Sequence, residues 1–462
     1  MAMSCPAYGS SSGVSLFYAA EPGAVADPLS ETLEWNEVPI TSESLAASLT
    51  SSISDRITSK RSYANSVVTA GEVSGSCSYE AEFSPFINDM LRAVLQDSAT
   101  LEDAGDSIMN GSTPRCYAFL KRIQRGTGYD YFVFRGVQID SMSFNMAPNA
   151  FITGELNMTG VRFGRDAKTG TNAVLSHIPH VGAISVSPAL AASTATISHT
   201  GFTATVDGTA TTIVSGNFTI PSSITIPADK FRVLGCLVSK TGVKSVVAGD
   251  VKDTAAEALK FMPHSTTDTI MVGHVVVGAG STQFTGGTTS FDAAGVTEVF
   301  TSYSGTVGWK LTAMESGNLM SSVFALQNLT IDDGGGDIGL ALQDFSLTLS
   351  NQLRAQNALG SGSPYASGVA SGRFQATMSA NAYYSGPNVI DVMLQDSELS
   401  IEFDVLDALG KGWHFLLDKV KVTSAPPPQA SGNESDLMSS TEFQAFEHGT
   451  NGTVKITQVG DF

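Results

Sequence analysis

The sequence has few basic residues and no long apolar run. Its 462 residues include 25 Lys and Arg against 44 Asp and Glu, a net charge of −19, which argues against a protein that clasps nucleic-acid phosphates. The same charge suits a surface past which nucleic acid moves without sticking. No stretch approaches the ~18 consecutive apolar residues of a membrane-spanning helix, so no membrane partner is expected.

Cysteine is also scarce. Cys5, Cys77, Cys116 and Cys236 lie far apart without metal-type spacing, so reduced thiols are expected. No basic residue precedes Arg56 and no short apolar core occurs near the amino terminus, which predicts the absence of a secretory signal. A hydrophobic content of 42% and 45 glycines indicate a globular chain of several domains, rich in β-structure.

Three patterns that could carry chemistry have simpler explanations. The G-x-S-x-G run from Gly9 to Gly13 lacks the strand before it and the helix after it that a nucleophile turn requires. His177 and His180 have no acidic third ligand nearby. The run from Asp332 to Asp337 could hold Ca²⁺, but it does not match EF-hand spacing, and Asp and Gly also form turns. No catalytic residue, cofactor or metal site is predicted.

The pattern of polar and apolar residues over residues 44–95 predicts a long β-hairpin that leads into a short helix. Leu45 to Ser54 and Glu72 to Phe83 both alternate between polar and apolar residues, as in strands with one wet and one packed face. Pro85 suits the first turn of a helix, and an apolar stripe follows it at helical spacing. The polar positions of the second arm are Glu72, Ser74, Ser76, Ser78, Glu80 and Glu82.

The same unit occurs a second time. Gly71 to Leu95 aligns with Gly372 to Leu394 with a slip of a residue or two, so that Asp89 falls on Asp391. Such self-similarity indicates duplication. The polar positions of the second hairpin are Ser346, Thr348 and Ser350 in one arm and Gln375, Thr377, Ser379 and Asn381 in the other.

The chain divides by composition into residues 1–170, 171–308 and 309–462. The middle part is rich in Val, Thr and Ala and carries little of the excess negative charge, so it is interpreted as an inserted β-rich domain. Arg56, Lys60 and Arg61 join the arms of the first hairpin. They are either a solvated turn or a basic tip that docks onto an acidic neighbour.

A series of short motifs runs through both flanks in order. They are Ser54-Asp55-Arg56-Ile57, then Arg61, Asn65, Val67 and Gly71, the helix from Asp89 to Leu95, Phe134 to Ile139, Pro148 to Gly154, Leu342 to Leu349, Phe443 to Phe446 and Thr453 to Thr457. This ordered series resembles the bacteriophage tail tube protein family. The resemblance implies a mainly β fold in which a β-sandwich with a long hairpin and a flanking short helix is repeated twice. The middle part is the departure from the family pattern.

The resemblance implies a structural virion protein that stacks as rings into the tube through which the genome leaves the capsid. Closing hairpins with one wet face into a ring would also turn that face towards the axis. The positions above, from Glu72 to Glu82 and from Ser346 to Asn381, would then line the channel. Their carboxylates would repel phosphate, so that phage DNA passes without specific binding.

By analogy, two units per chain predict a ring of three chains, with Arg56, Lys60 and Arg61 in contact with the next ring. The other expected partners are the tape measure, tail terminator and distal tail proteins. The expected location is the phage tail, assembled in the cytoplasm of the host bacterium. The alternative is a bacterial or phage surface adhesin or decoration protein that uses the inserted domain, and an enzyme is not expected.

Overall fold

The computed structural model describes residues 13–21, 33–53, 66–125, 128–163, 174–175, 182–206, 208–259, 269–307, 309–313, 317–359, 364–429 and 436–461. Short strands dominate these segments, as the frequent alternation of polar and apolar residues predicts. None of their helices combines the length and the apolar composition that crossing a membrane requires.

The elements of the first half of the chain are β1 Val14–Ala20, β2 Leu33–Glu37, β3 Ser42–Glu43, β4 Ala46–Ile53, β5 Ser66–Glu80, α1 Pro85–Leu95, β6 Ser107–Met109, β7 Tyr117–Arg125, β8 Gly128–Met146, β9 Thr153–Gly160, β10 Arg162–Phe163, β11 Val174–Leu175, β12 Gly182–Ile184, β13 Ala191–Ser193, β14 Thr196–His199, β15 Phe202–Val206, β16 Thr209–Ile213, β17 Gly216–Thr219 and β18 Thr225–Ile226. Those of the second half are β19 Phe231–Ser239, β20 Lys244–Ala248, α2 Ala255–Leu259, β21 Thr269–Gly278, β22 Phe284–Thr285, β23 Thr297–Ser302, β24 Gly305–Val307, β25 Trp309–Thr312, α3 Ser322–Ala325, β26 Leu326–Asp332, β27 Ala341–Ser350, β28 Arg354–Gln356, β29 Gly368–Ala370, β30 Gln375–Tyr383, α4 Asn388–Leu394, β31 Leu399–Leu406, β32 Gly412–Ser424, β33 Met438–Ala445 and β34 Lys455–Val459.

The chain forms two compact units, each built from separate stretches. Unit 1 consists of Met1–Glu37, Phe119–Val133 and Phe163–Ala313, and unit 2 of Val38–Ala118, Phe134–Arg162 and Met314–Phe462. Both hairpin repeats therefore belong to unit 2. The division into residues 1–170, 171–308 and 309–462 stays a prediction.

Unit 2 is organised around one antiparallel sheet that contains both repeats. Its strands follow the order β4, β5, β9, β8, β27, β30, β33 and β32. The first hairpin pairs β4 with β5 from Ala46↔Ser74 to Ile53↔Ser66. The second pairs β27 with β30 from Ala341↔Tyr383 to Ser350↔Gln375. The prediction of a mainly β protein with a repeated hairpin and helix is confirmed.

One side of this sheet carries an aromatic core. Tyr79 and Phe144 meet edge to face with ring centroids 6.1 Å apart, and Phe415 stacks on Phe403 at 4.9 Å. Trp413 lies 6.3 Å from Phe144. Each fully buried large apolar side chain stabilises the fold by roughly 1.5–3 kcal/mol. The aromatic core therefore stabilises the sheet whose other side faces away from it.

Helix α1 packs into the same core. Pro85 begins it, and Gln96 ends it in the left-handed region at φ 52°. Ile87, Met90 and Leu91 are completely buried. At 3% exposure, Asn88 accepts a hydrogen bond from Trp413 Nε1 at 2.6 Å and donates to Gln458 Oε1 at 2.8 Å. This buried group ties α1 to strands β32 and β34, which come late in the chain.

Unit 1 contains several small sheets and its own core. In the main cluster, Phe202, Phe218, Phe284 and Phe291 pack among aliphatic side chains, and every buried member lies between residues 184 and 307. Strands β12 and β24, at the two ends of this segment, pair directly at Gly182↔Val307. Strands β2 and β25 pair in parallel.

Candidate functional site

An extended polar surface of unit 2 is the side of the sheet opposite the aromatic core, here called the polar face. It exists because polar and apolar residues alternate along neighbouring strands whose apolar positions are buried. Its members are Ser74, Ser76, Ser78 and Glu80 on β5; Thr153, Glu155, Asn157 and Thr159 on β9; Ser141, Ser143 and Asn145 on β8; Asp344, Ser346, Thr348 and Ser350 on β27; Gln375, Thr377, Ser379 and Asn381 on β30; and Ser440, Glu442 and Gln444 on β33.

Side chains of the polar face bond to one another across the strands. Ser346 Oγ and Ser379 Oγ are 2.8 Å apart, and Asn157 Nδ2 donates to Ser141 Oγ at 2.9 Å. Asn381 Nδ2 donates to Asp344 Oδ1 at 2.8 Å. Each of these bonds uses part of the hydrogen-bonding capacity of the polar side chains within the surface itself.

The charge of the polar face is negative. Glu80, Glu155, Asp344 and Glu442 contribute carboxylates, and none of the positions named above is Lys or Arg. Lys421, on β32 beside Gln444, binds Asp396 Oδ2 at 2.8 Å. A phosphate backbone would meet short hydroxyls, amides and like charges here, which disfavours binding.

Arg373 lies at the edge of this surface, two residues before β30 begins at Gln375. It is exposed and lines a cavity of about 770 Å³ together with Gln375, Gln444 and Glu447. Glu447, which carries a carboxylate, therefore lines the same cavity as Arg373.

All but one of the sequence-predicted polar positions are partly or fully exposed. Glu72 is exposed, and so are Thr377 and Ser379. Ser74, Ser76, Ser78, Glu80, Ser346, Thr348, Ser350, Gln375 and Asn381 are partly exposed. The structure thus brings the polar residues of both hairpins into one surface.

Glu82 is the exception, and its placement on the wet face is wrong. Strand β5 ends at Glu80, so the alternation of faces does not continue, and Glu82 is only 2% exposed. Its Oε2 accepts a hydrogen bond from the Gly317 N–H at 3.1 Å. Burial raises the pKa of Glu82 above its usual value, and the Gly317 hydrogen bond opposes the shift.

The predicted basic tip, Arg56, Lys60 and Arg61, lies outside the described residues. The hairpin that leads to it is exposed on both faces. Leu49, Ile53 and Val68 are 50%, 53% and 48% exposed and share one face. A bulge between Thr50 and Ser51 in the pairing of β4 with β5 brings Val68 onto this face.

Sequence reasoning missed the contributions of β8, β9 and β33 to the polar face. A signal was present, because Thr153, Glu155, Asn157 and Thr159 alternate with residues that are buried. A single strand does not reveal its neighbours, however. Only the pairing of β9 with β5 and of β8 with β27 puts β9 and β8 between the two hairpins, and only the pairing of β33 with β30 adds β33 beyond the second hairpin.

Of the other candidate sites, the structure fully describes only the run from Asp332 to Asp337. Asp332 Oδ1 accepts hydrogen bonds from the N–H groups of Gly334 at 2.7 Å and Gly336 at 3.0 Å, as the turn interpretation predicts. No group of His, Cys, Asp and Glu suited to a metal ion occurs in the part of the chain that the structure describes. His177, His180 and residues 9–12 lie outside that part.

Of two comparisons with known proteins, one finds a match. A family model described as phage tail tube protein matches residues 11–261 and, a second time, residues 232–445. A comparison with curated proteins finds no match. The repeated family match agrees with the repeated hairpin and helix of unit 2.

Proposed function

Because these matches together span far more than half of the chain, this protein belongs to the phage tail tube protein family, a family of structural virion components, and we propose that it polymerises as stacked rings into a tube with the polar face inward. The observation that carries the proposal is the single polar surface formed by both hairpins. A continuous sheet whose apolar side is already covered has one side left to face water.

The channel is proposed to be non-adhesive. Its lining consists of Glu72, Ser74, Ser76, Ser78, Glu80, Ser346, Thr348, Ser350, Gln375, Thr377, Ser379 and Asn381, joined by the polar residues of β8, β9 and β33. Glu82 is left out because it is buried. Short side chains keep the bore wide, and carboxylates repel DNA during ejection into the host.

Each ring is proposed to contain three chains, since each chain supplies two repeats. The first hairpin, with Arg56, Lys60 and Arg61, is proposed to contact the next ring. Exposed Leu49, Ile53 and Val68 support this role, because apolar side chains projecting from a hairpin favour a protein partner.

Residues 171–308 are proposed to form a domain on the outside of the tube, because a module of this size does not fit a bore that passes a duplex. Two observations support an independent module. Its main core draws only on residues 184–307, and its first and last strands pair at Gly182↔Val307. Replacing residues 183–306 with a short Gly-Ser linker is therefore expected to leave tube formation intact.

The remaining partners follow from family membership. The tube is proposed to contact the tape measure, tail terminator and distal tail proteins, after assembly in the cytoplasm of the host bacterium.

Electron microscopy of the purified protein at high concentration tests the proposal. Hollow filaments built of three-chain rings, with Ser76, Thr348 and Ser379 at the bore, are the expected result. A reconstruction in which Val73 and Tyr79 border the hole would overturn it, and so would a protein that stays monomeric.

A lysine in the bore tests the electrostatic part. Filaments of the Ser379→Lys variant are expected to retain linear DNA at low salt, whereas wild-type filaments release it, because lysines that contact phosphates bind DNA with strong salt dependence. The matched control is Val299→Lys, an exposed position of unit 1. Equal DNA release by Ser379→Lys and wild type would contradict a lumenal position for Ser379.

A further inference from the structure

We infer that the contact between His199 and Lys244, here called the acid latch, holds two sheets of unit 1 together and opens when His199 takes up a proton. The sheets are the three-stranded β13–β14–β17 and the four-stranded β20–β19–β21–β23. His199 is the last residue of β14, and Lys244 is the first residue of β20. The acid latch lies within unit 1, so the inference does not depend on the proposed tube.

Both ring nitrogens of His199 have partners. Nδ1 lies 2.8 Å from Thr200 O, and because a carbonyl oxygen only accepts, Nδ1 carries the ring proton. Nε2 is then the acceptor for Lys244 Nζ, which lies 3.1 Å away. A second ring proton on Nε2 would remove this acceptor and bring two positive charges into contact.

The surroundings of His199 do not compensate for a second positive charge. His199 is only 5% exposed and packs on Phe202 and Phe218, with ring centroids 5.5 Å and 5.0 Å away. Strands β13, β14, β15 and β17 contain no Asp, Glu, Lys or Arg. Among the described residues, the charged group that acts on His199 is Lys244 on β20.

Lys244 is held against the three-stranded sheet by two further features. Its Nζ lies 5.9 Å from the ring centroid of Phe218, within the range of a cation–π contact. Gly216 faces His199 in the pairing of β14 with β17, and a Cβ at position 216 would come within 3.2 Å of Lys244 Nζ. The amine therefore occupies space that the glycine leaves open.

The acid latch joins sheets that share one buried core. Ile197 and Phe218 belong to the same hydrophobic cluster as Cys236 on β19 and Val246 on β20. Strands β17 and β20 are neighbours in space, although they belong to different sheets. Separating the two sheets would therefore uncover the core side of β19, including the thiol of Cys236.

Acid is expected to open the latch because the open form binds a proton more readily than the closed form. Burial lowers the pKa of His199 from its usual 6.5, the charge of Lys244 lowers it further, and the hydrogen bond to Thr200 O opposes the shift. The open form therefore gains population as the pH falls below 6.5, whereas both forms stay neutral well above it.

Two histidines of unit 2 have the opposite kind of partner. His414 Nδ1 lies 2.6 Å from Asp404 Oδ1, and His448 Nδ1 lies 3.2 Å from Asp418 Oδ2. Protonation of either ring creates an ion pair with a carboxylate rather than a repulsive contact. Mild acid is therefore expected to loosen unit 1 while these contacts of unit 2 persist.

Two buried cysteines can report the opening. Cys236 in unit 1 and Cys77 in unit 2 are both completely buried. In a chain that carries Cys5→Ser and Cys116→Ser, a pyridyl disulfide reagent labels the remaining thiols, and peptide mass spectrometry gives the rate at each. Between about pH 7.5 and about pH 5.5, the ratio of the Cys236 rate to the Cys77 rate is expected to rise severalfold, with a limit of about tenfold set by the usual histidine pKa.

A variant at each partner tests the cause of this rise. In His199→Gln the amide oxygen can still accept from Lys244 but gains no proton, so most of the acid response is expected to disappear. Lys244→Met removes the second charge and is expected to weaken the response. The matched control is His274→Gln. His274 is also a buried histidine of unit 1, but its Nδ1 lies 2.7 Å from Tyr303 Oη instead of a lysine, and its replacement is expected to preserve the response.

Two results would contradict the inference. One is an acid response of His199→Gln as large as that of the wild type, and the other is an equal acceleration of labelling at Cys236 and Cys77. If His199→Gln does not fold, as judged by circular dichroism at neutral pH, a wild-type response in Lys244→Met has the same meaning. None of these measurements uses filaments, so the inference and the proposed function fail separately.

Discussion

The two repeats of unit 2 share their sheet but differ in their helices. Helix α1 spans Pro85–Leu95 and buries most of its side chains, whereas α4 spans Asn388–Leu394 and buries only Val389 and Val392. At the end of α4, Leu394 is 73% exposed. The strands of both repeats build one continuous polar face, so their pattern has to match. The helices lie outside that face, where their packing can diverge.

The hairpins differ at their loop ends as well. The first continues past the core with exposed Leu49, Ile53 and Val68. The chain after the second folds back, so that Pro364 O accepts a hydrogen bond from the Gly71 N–H at 2.7 Å and Tyr365 is only 5% exposed. The first repeat therefore projects a hairpin, and Pro364 and Tyr365 contact that hairpin at Gly71.

The largest expected effect contrasts the two helices. Leu91→Ala removes a completely buried side chain of α1 and is expected to lower the free energy of unfolding by about 3 kcal/mol. Leu394→Ala in α4 is expected to cost less than ~0.5 kcal/mol, because its side chain is exposed. Urea unfolding followed by fluorescence measures both. Similar losses would show that the helices are equally buried in solution.

The next effect concerns the buried amide of α1. Asn88→Ala leaves Trp413 Nε1 and Gln458 Oε1 without the partners they have now and is expected to cost about 2 kcal/mol. The aligned position in α4 is Ile390, which is partly buried. Ile390→Ala is expected to cost less, by the same urea measurement. A larger loss at Ile390 than at Asn88 would contradict the comparison.

The contact between Gly71 and Tyr365 can be disrupted by a substitution at either residue. A Cβ at position 71 would lie 2.7 Å from Tyr365 Cδ1, so Gly71→Ala is expected to cost about 1–2 kcal/mol. In the Tyr365→Ala background the same substitution should cost much less, because the ring is gone. A double-mutant cycle from thermal unfolding gives the coupling. Additive losses would mean that Tyr365 does not cover Gly71.

The smallest effect is the pH dependence of Glu82. Its folded pKa is raised from the usual 4.5, so its stabilising contribution is present below that value and is lost as pH rises through the folded pKa. Glu82→Gln is expected to be more stable than the wild type at neutral pH and equal to it at acid pH below 4.5. Melting temperatures across this pH range provide the check, and a difference that does not vary with pH would refute it.

Local pattern was enough to predict the hairpins, because alternation of polar and apolar residues reports which face of a strand is buried. It predicted the pairing of β4 with β5 and of β27 with β30. It failed at Glu82, where the strand had already ended, and it gave no sign that α4 is shallow. Whether an apolar helix is covered depends on the layer above it, which the helix's own sequence does not specify.

Contacts between segments far apart in the chain could not be predicted from the sequence pattern. Trp35 on β2 packs against Trp309 on β25 with ring centroids 5.0 Å apart. The sequence around either tryptophan does not indicate this contact. The same holds for β8, whose residues 141–146 pair with β27. The residues of the polar face were therefore predicted strand by strand, while their assembly into one surface was not.

The direct bonding of β8 to β27 has a consequence for how the proposed ring would nucleate. In a ring of three chains, half of the seams between neighbouring repeats would close while a single polypeptide folds, before any encounter in solution. Fewer independent bodies would then lose translational and rotational freedom when the ring closes, which reduces the entropic cost of association. A fused pair of repeats would also enforce strict alternation around the proposed ring, so that a repeat is never placed beside a second copy of itself.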